Sequence, residues 1–148
     1  MARVYLDLCS LNRPFDDQTQ ERIRLEAEAV LRVLALVRAG QAEWLSSDAV
    51  EVELAAGPAS ARRSWITELL GGAVQSVQVG EKEAARAEEL TAIGLRPLDA
   101  LHLACAEAGR ADVFLTTDDE VIRVARRPTT QLHVRVMNPM AWVQELPR

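Results

Sequence analysis

A chain of 148 residues, 49% of them hydrophobic and 26% charged, is long enough to bury one sizeable core and too short for two comfortable ones. It has no run of about 18 apolar residues and no basic segment leading into an apolar one, so a soluble, cytoplasmic protein without a membrane span is expected. With a formal charge of −5 and Lys82 the only lysine among 17 basic residues, any nucleic-acid footprint must be a local arginine cluster rather than a global basic field.

The two cysteines, Cys9 and Cys105, stand singly inside apolar segments, which fits a reducing compartment and offers neither a disulfide framework nor zinc spacing. No internal repeat, low-complexity tract or Pro/Gly/Ser-rich linker interrupts the chain, so residues 1–148 are expected to form one domain.

Residues 3–8 (RVYLDL) are apolar on both sides of Asp7, the pattern of a strand buried on both faces. Asp7 then falls near a strand's carboxyl end, where open α/β sheets bind ligands. It is either a ligand-binding carboxylate or a brace for the following loop. Residues 11–20 (LNRPFDDQTQ) read as a loop, with Asp16 and Asp17 as N-cap and first-turn residues of a helix over 18–39. In that helix Ile23, Ala27, Val30, Leu31, Leu34 and Val37 recur at helical spacing, and Gly40 ends it.

A strand over 42–46 follows, then a helix capped by Ser47 or Asp48 and running to Gly57 and Pro58. On a helical wheel Glu53 lies roughly 40° from Ala49, within the apolar face. Glu51 sits at the polar edge and completes an Asp-x-x-Glu capping box with Asp48. Glu53 is therefore the candidate ligand of the two, the alternative being a half-buried glutamate paired with an arginine. Further on come a helix over 59–70, a β-branched strand over 74–79 and an amphipathic helix over 81–93 that closes at Gly94. This alternation of helix and strand predicts a mostly parallel sheet with helices on both faces.

Pro97 suits the first turn of a helix that is apolar almost all round through Ala108. Asp99 lies in that first turn, where the helix dipole favours the ionised carboxylate that a metal also requires; a purely structural first-turn aspartate fits as well. His102, one turn on, reads as a packed histidine. A short strand over 112–116 leads to Asp118, either a ligand or the cap of a helix over 119–126. The last elements are a strand over 131–137 and a short helix over 138–146; His133 has no assigned role.

Four converging carboxylates repel unless a hard cation lies between them, and oxygen donors with water suit Mg²⁺ or Mn²⁺. Such a metal lowers the pKa of a bound water and supports phosphodiester hydrolysis. No phosphate-binding P-loop, dinucleotide fingerprint or Ser or Cys nucleophile motif competes with that chemistry. The segments VYLDLCSLNRPFDDQ, SSDAVEVEL, RPLDALHLACA and LTTDDEV, in this order, resemble the PIN domain, and in particular the PIN-domain ribonucleases of the VapC type. The resemblance implies a three-layer α/β/α sandwich with a mostly parallel central sheet. It also implies a Mg²⁺- or Mn²⁺-dependent endoribonuclease cleaving single-stranded or structured RNA, frequent homodimerisation and, for a type II toxin, neutralisation by a small DNA-binding antitoxin. Its acidic quartet falls on Asp7, Glu53, Asp99 and Asp118, with Asp119 as an outer helper.

One position departs from the family pattern. Leu8 stands where a small hydroxyl residue usually follows the first aspartate, leaving Ser10 or Thr116 to supply that hydroxyl. Three tryptophans, two phenylalanines and one tyrosine also provide few stacking faces for RNA bases. Arg13, Arg62, Arg63, Arg96 and Arg123 are the candidate phosphate contacts, with Arg96 foremost because it adjoins the helix start that carries Asp99. A PIN-like binding or scaffold protein with weak or no nuclease activity is the alternative reading.

Overall fold

A computed structural model describes residues 1–147. Five short strands, β1 (Ala2–Leu6), β2 (Ala42–Ser47), β3 (Gln75–Val77), β4 (Val113–Leu115) and β5 (Arg135–Met137), form one sheet. All neighbouring pairs are parallel, in the order β3-β2-β1-β4-β5. The continuous apolar runs predicted at β1 and β4 are the two central strands, and Val4, Tyr5, Leu6 and Leu115 are fully buried.

Between strands lie α1 (Leu8–Asn12), a 3₁₀ turn (Arg13–Phe15), α2 (Glu21–Arg38), α3 (Asp48–Ala56), α4 (Ala61–Leu70), α5 (Glu81–Ala92), α6 (Pro97–Ala108), α7 (Asp119–Ala125) and α8 (Pro139–Gln144). The chain moves from β1 outward to β3, then returns to the other side of β1 for β4 and β5. Right-handed crossovers therefore place the first two connections on one face and the later two on the other, giving the three-layer α/β/α sandwich. In keeping with this, α2 packs against α8 and α5 against α6.

Several local expectations are corrected. Residues 8–12 form a helix where Leu8 was expected to close the first strand and residues 11–12 to open a loop, because Asp7 accepts a hydrogen bond from the Ser10 backbone N–H and so caps α1. Helix α2 starts at Glu21, three residues later than the periodicity suggests. Before it, Asp17 accepts from both the N–H and the hydroxyl of Thr19, and the Gln18 amide donates to the Arg13 and Asp16 carbonyls, so the chain is held in turns. Ser47, not Asp48, caps α3. Asp48 instead accepts from the Val79 N–H and ties the end of β3 to the start of α3.

Helix α6 is pressed onto the sheet at Gly109, where an added Cβ would stand 2.3 Å from Leu45 Cδ2. This close approach fixes the height of α6 and of the Asp99 and His102 side chains that it carries. Among the described residues no helix is long and apolar enough to cross a membrane.

Candidate metal centre

The strand order reverses direction between β1 and β4, which opens a crevice at their carboxyl ends. Asp7 follows β1 and Asp118 follows β4 by three residues, so both stand at this crevice. Each also caps a helix. The Asp7 Oδ1 accepts from Ser10 N–H at 2.9 Å, and Asp118 Oδ1 accepts from Glu120 N–H at 2.9 Å and from Val121 N–H at 3.4 Å. Capping and ligation are compatible, since a carboxylate oxygen that accepts one hydrogen bond keeps a second lone pair.

Asp7 is 4% exposed, and burial holds its carboxyl above the ordinary carboxylate range despite hydrogen bonds from Cys9, Thr116 and the Ser10 N–H. The Cys9 thiol donates to Asp7 Oδ2 at 3.0 Å; burial and the adjacent Asp7 charge push that thiol up to about 12, so it stays protonated and a donor. Asp99, half-buried in the first turn of α6, is also raised, first by burial and then by the charges of Asp118 and Asp7. The structure thus brings Asp7 and Asp118 close enough to Asp99 for both of their charges to raise it. Among the described residues no three His, Cys, Asp or Glu side chains converge in ready-made ligating geometry. The donor set nevertheless suits a hard cation: carboxylate oxygens, from one buried and two half-buried aspartates, unmatched by a bonded arginine.

Glu53 comes from the apolar face of α3 and is half-buried. Its Oε1 lies 3.2 Å from His102 Nε2, so its partner is a histidine rather than the arginine that was the alternative. His102 is buried and lies one turn after Asp99 on α6. The helical spacing of Asp99 and His102, three residues apart, puts them on one face and was the available signal for this contact. Tyr5, two residues before Asp7 on the same side of β1, was a second such signal.

The remaining candidates separate clearly. Thr116 presents its hydroxyl to Cys9 Sγ at 3.5 Å and accepts from Asp118 N–H at 3.1 Å, so it lies within the cluster. The fully buried Ser10 donates its hydroxyl to the Leu115 carbonyl and so joins α1 to the end of β4. Asp119 is mostly exposed and held by Arg22 through two hydrogen bonds. Arg13 donates to Glu26 and Asp16, and Arg123 is paired with Glu120. Arg96 is exposed, and its charge reaches Asp99. A cleft of about 350 Å³ beside Glu53 is lined by Leu8, Arg62 and Arg63 among others.

The PIN domain family model matches residues 5–127. The chain belongs to the PIN domain family. PIN domains are generally nucleases and usually use divalent metal ions. Among solved structures, this PIN domain resembles a chain of FitAcB from Neisseria gonorrhoeae, with a TM-score of 0.60 at 16% identity over 92% of this chain and 97% of that one. A chain of FitAB bound to an IR36 DNA fragment matches at a TM-score of 0.57 and 17% identity, over 98% of both. A chain of VapBC2 from Rickettsia felis, bound to a DNA fragment from its promoter, matches at 0.57 and 13%, over 92% and 98%. At such identities the likeness shows the shared fold. Comparison with curated proteins gives no significant match.

Proposed function

We propose that this PIN domain is a Mg²⁺- or Mn²⁺-dependent endoribonuclease, the toxin half of a type II toxin–antitoxin pair. The observation that carries the reading is the grouping of Asp7, Asp99 and Asp118 at the β1–β4 crevice, where Asp7 is buried without a bonded cationic side chain and Asp99 is raised by burial and by both neighbouring acids. Asp7, Asp99, Asp118 and Glu53 would hold the metal. When bound there, the metal supplies a water of lowered pKa and positive charge against the leaving oxygen. The protein's own part is to exclude bulk water around Asp7, to keep Asp7 and Asp118 oriented through their capping bonds, and to present Thr116 as the hydroxyl beside Asp7. Arg96 is suited to draw in an RNA phosphate next to Asp99, with Arg62 and Arg63 along the cleft beside Glu53. Arg13 is a weaker phosphate contact, being engaged by two carboxylates.

Support for a protein partner comes from the FitAB and VapBC2 structures, two-component assemblies bound to DNA. By analogy, a small DNA-binding antitoxin is the partner we assign, and a homodimer the assembly. The deciding experiment is Mn²⁺-dependent cleavage of single-stranded RNA by the wild type, Asp7→Asn and Asp99→Asn. We expect activity only in the wild type, with a loss of at least about a hundredfold in each variant; an unchanged rate in either would overturn the reading. Leu8 beside Asp7 and the net charge of −5 favour the competing reading, a binding module with little catalysis. Calorimetry showing no Mg²⁺ or Mn²⁺ uptake by the wild type would decide for it.

A further inference from the structure

His102 meets a different group at each ring nitrogen. Nε2 is 3.2 Å from Glu53 Oε1, and Nδ1 is 2.7 Å from the Tyr5 hydroxyl. Tyr5 is in turn 2.6 Å from Ser47 Oγ, which accepts from the Val50 N–H at 3.4 Å. Tyr5, Ser47 and His102 are all buried. The chain therefore crosses the interior from the start of α3, through the end of β2 and through β1, to α6, and returns to α3 at Glu53.

The direction of these bonds follows from which atoms can donate. An ionised carboxylate only accepts, so Nε2 carries a hydrogen toward Glu53 and, in the neutral ring, Nδ1 accepts from the Tyr5 hydroxyl. Tyr5, having given its one hydrogen to Nδ1, then accepts from the Ser47 hydroxyl, whose oxygen also accepts from the Val50 N–H. With the hydrogen on Nδ1 instead, a bare nitrogen lone pair would face the Glu53 carboxylate in a largely buried place.

We propose that His102 is a positioning residue for Glu53: Ser47 and Tyr5 lock the imidazole with its hydrogen on Nε2, and that hydrogen aims the Glu53 carboxylate at the crevice. The proposal rests on the metal-ligand reading of Glu53. The histidine acts from behind the ligand, as groups bonded to metal-binding carboxylates do. It couples the two halves of the site, because one rigid ring sits three residues from Asp99 on α6 while holding an acid from α3.

Two measurements test this. Ring-nitrogen NMR of ¹⁵N-histidine protein, with His133→Gln to assign the only other histidine, should show His102 protonated on Nε2 alone; hydrogen on Nδ1, or on both nitrogens, overturns the proposal without any core substitution. Mn²⁺ titration then compares His102→Asn, which loses the donor at the Nε2 position, with His102→Gln, whose longer amide restores it. We expect roughly tenfold weaker binding for Asn and recovery of most of it for Gln, with both changes silent in a Glu53→Gln background. An equal loss for Asn in both backgrounds overturns the proposal, because His102 would then act on the site by some route other than Glu53. A wild type that takes up no Mn²⁺ sinks the metal reading, whereas the ring spectrum judges the hydrogen-bond chain whatever the metal result, so the two failures are distinguishable.

Discussion

Two buried acids in this protein are treated in opposite ways. Glu26, fully buried on α2, accepts from Arg13 Nε at 2.9 Å, Arg22 Nε at 3.3 Å and Asn138 Nδ2 at 2.5 Å. It joins α2 to the 3₁₀ turn and to the start of α8. Asp7 is nearly as buried, yet its hydrogen bonds come from a thiol, the Thr116 hydroxyl and one backbone N–H, none of them cationic, with Asp99 nearby. A buried charge matched by guanidinium groups is part of the framework. One left without a bonded counter-charge is a destabilising group kept for another purpose, which is the logic of a ligand site.

The contrast makes its largest prediction at Glu26. Glu26→Ala removes the shared acceptor of two arginines and an asparagine and should lower unfolding free energy by about 3 kcal/mol in urea denaturation. A loss under about 1 kcal/mol would break the comparison, since the ion pairs would then be contributing little. Asp7→Asn should do the reverse, raising stability by roughly 1 kcal/mol while abolishing Mn²⁺ binding.

The same difference has a pH signature. In the metal-free protein Asp7 and Asp99 keep their protons to higher pH than in the unfolded chain. In the window between the ordinary carboxylate range and those raised values the folded state binds more protons, so their contribution to stability falls as pH rises and is regained on acidification. Subtracting the Asp7→Asn curve from the wild-type curve isolates the Asp7 part. Saturating Mn²⁺ should reverse the slope, because the metal requires the ionised carboxylates. A flat difference curve without metal would show that Asp7 is not strained by its burial.

The smallest effect marks the boundary between the two regions. Asp119 neighbours Asp118 in sequence but bonds to Arg22, which also holds Glu26. Both side chains of that pair are more than half exposed, so Asp119→Asn should cost less than about 0.5 kcal/mol and leave Mn²⁺ affinity unchanged. A clear loss of affinity would move Asp119 into the metal cluster.

The sequence made some of this legible and hid the rest for physical reasons. Strands β1 and β4 and helix α6 were readable because burial on several sides demands unbroken apolar runs, and those runs also place Asp7, Asp99 and Asp118 at element ends. Helix α1 was hidden because its five residues show barely more than one turn of periodicity and Pro14 follows at once. Its signal was the Asp7-x-x-Ser10 cap. The Glu53 wheel position was informative about burial but silent about its partner. His102 lies 49 residues away in the chain and Tyr5 a further 97 from His102, and no local pattern encodes contacts of that span.

The pairing of β1 with β4 has a consequence for synthesis. Leu6 and Leu115 are neighbours in the sheet, so β1 waits for a partner strand that is translated much later. A nascent chain already carries Asp7 and Glu53 while the strand that completes the crevice, and Asp118 beyond it, has yet to be translated. Such long-range parallel pairing forms late. Premature release or truncation before Val113 therefore yields a polypeptide with most of the acids but no place for them to meet, and the architecture itself delays the site until β4 has been made.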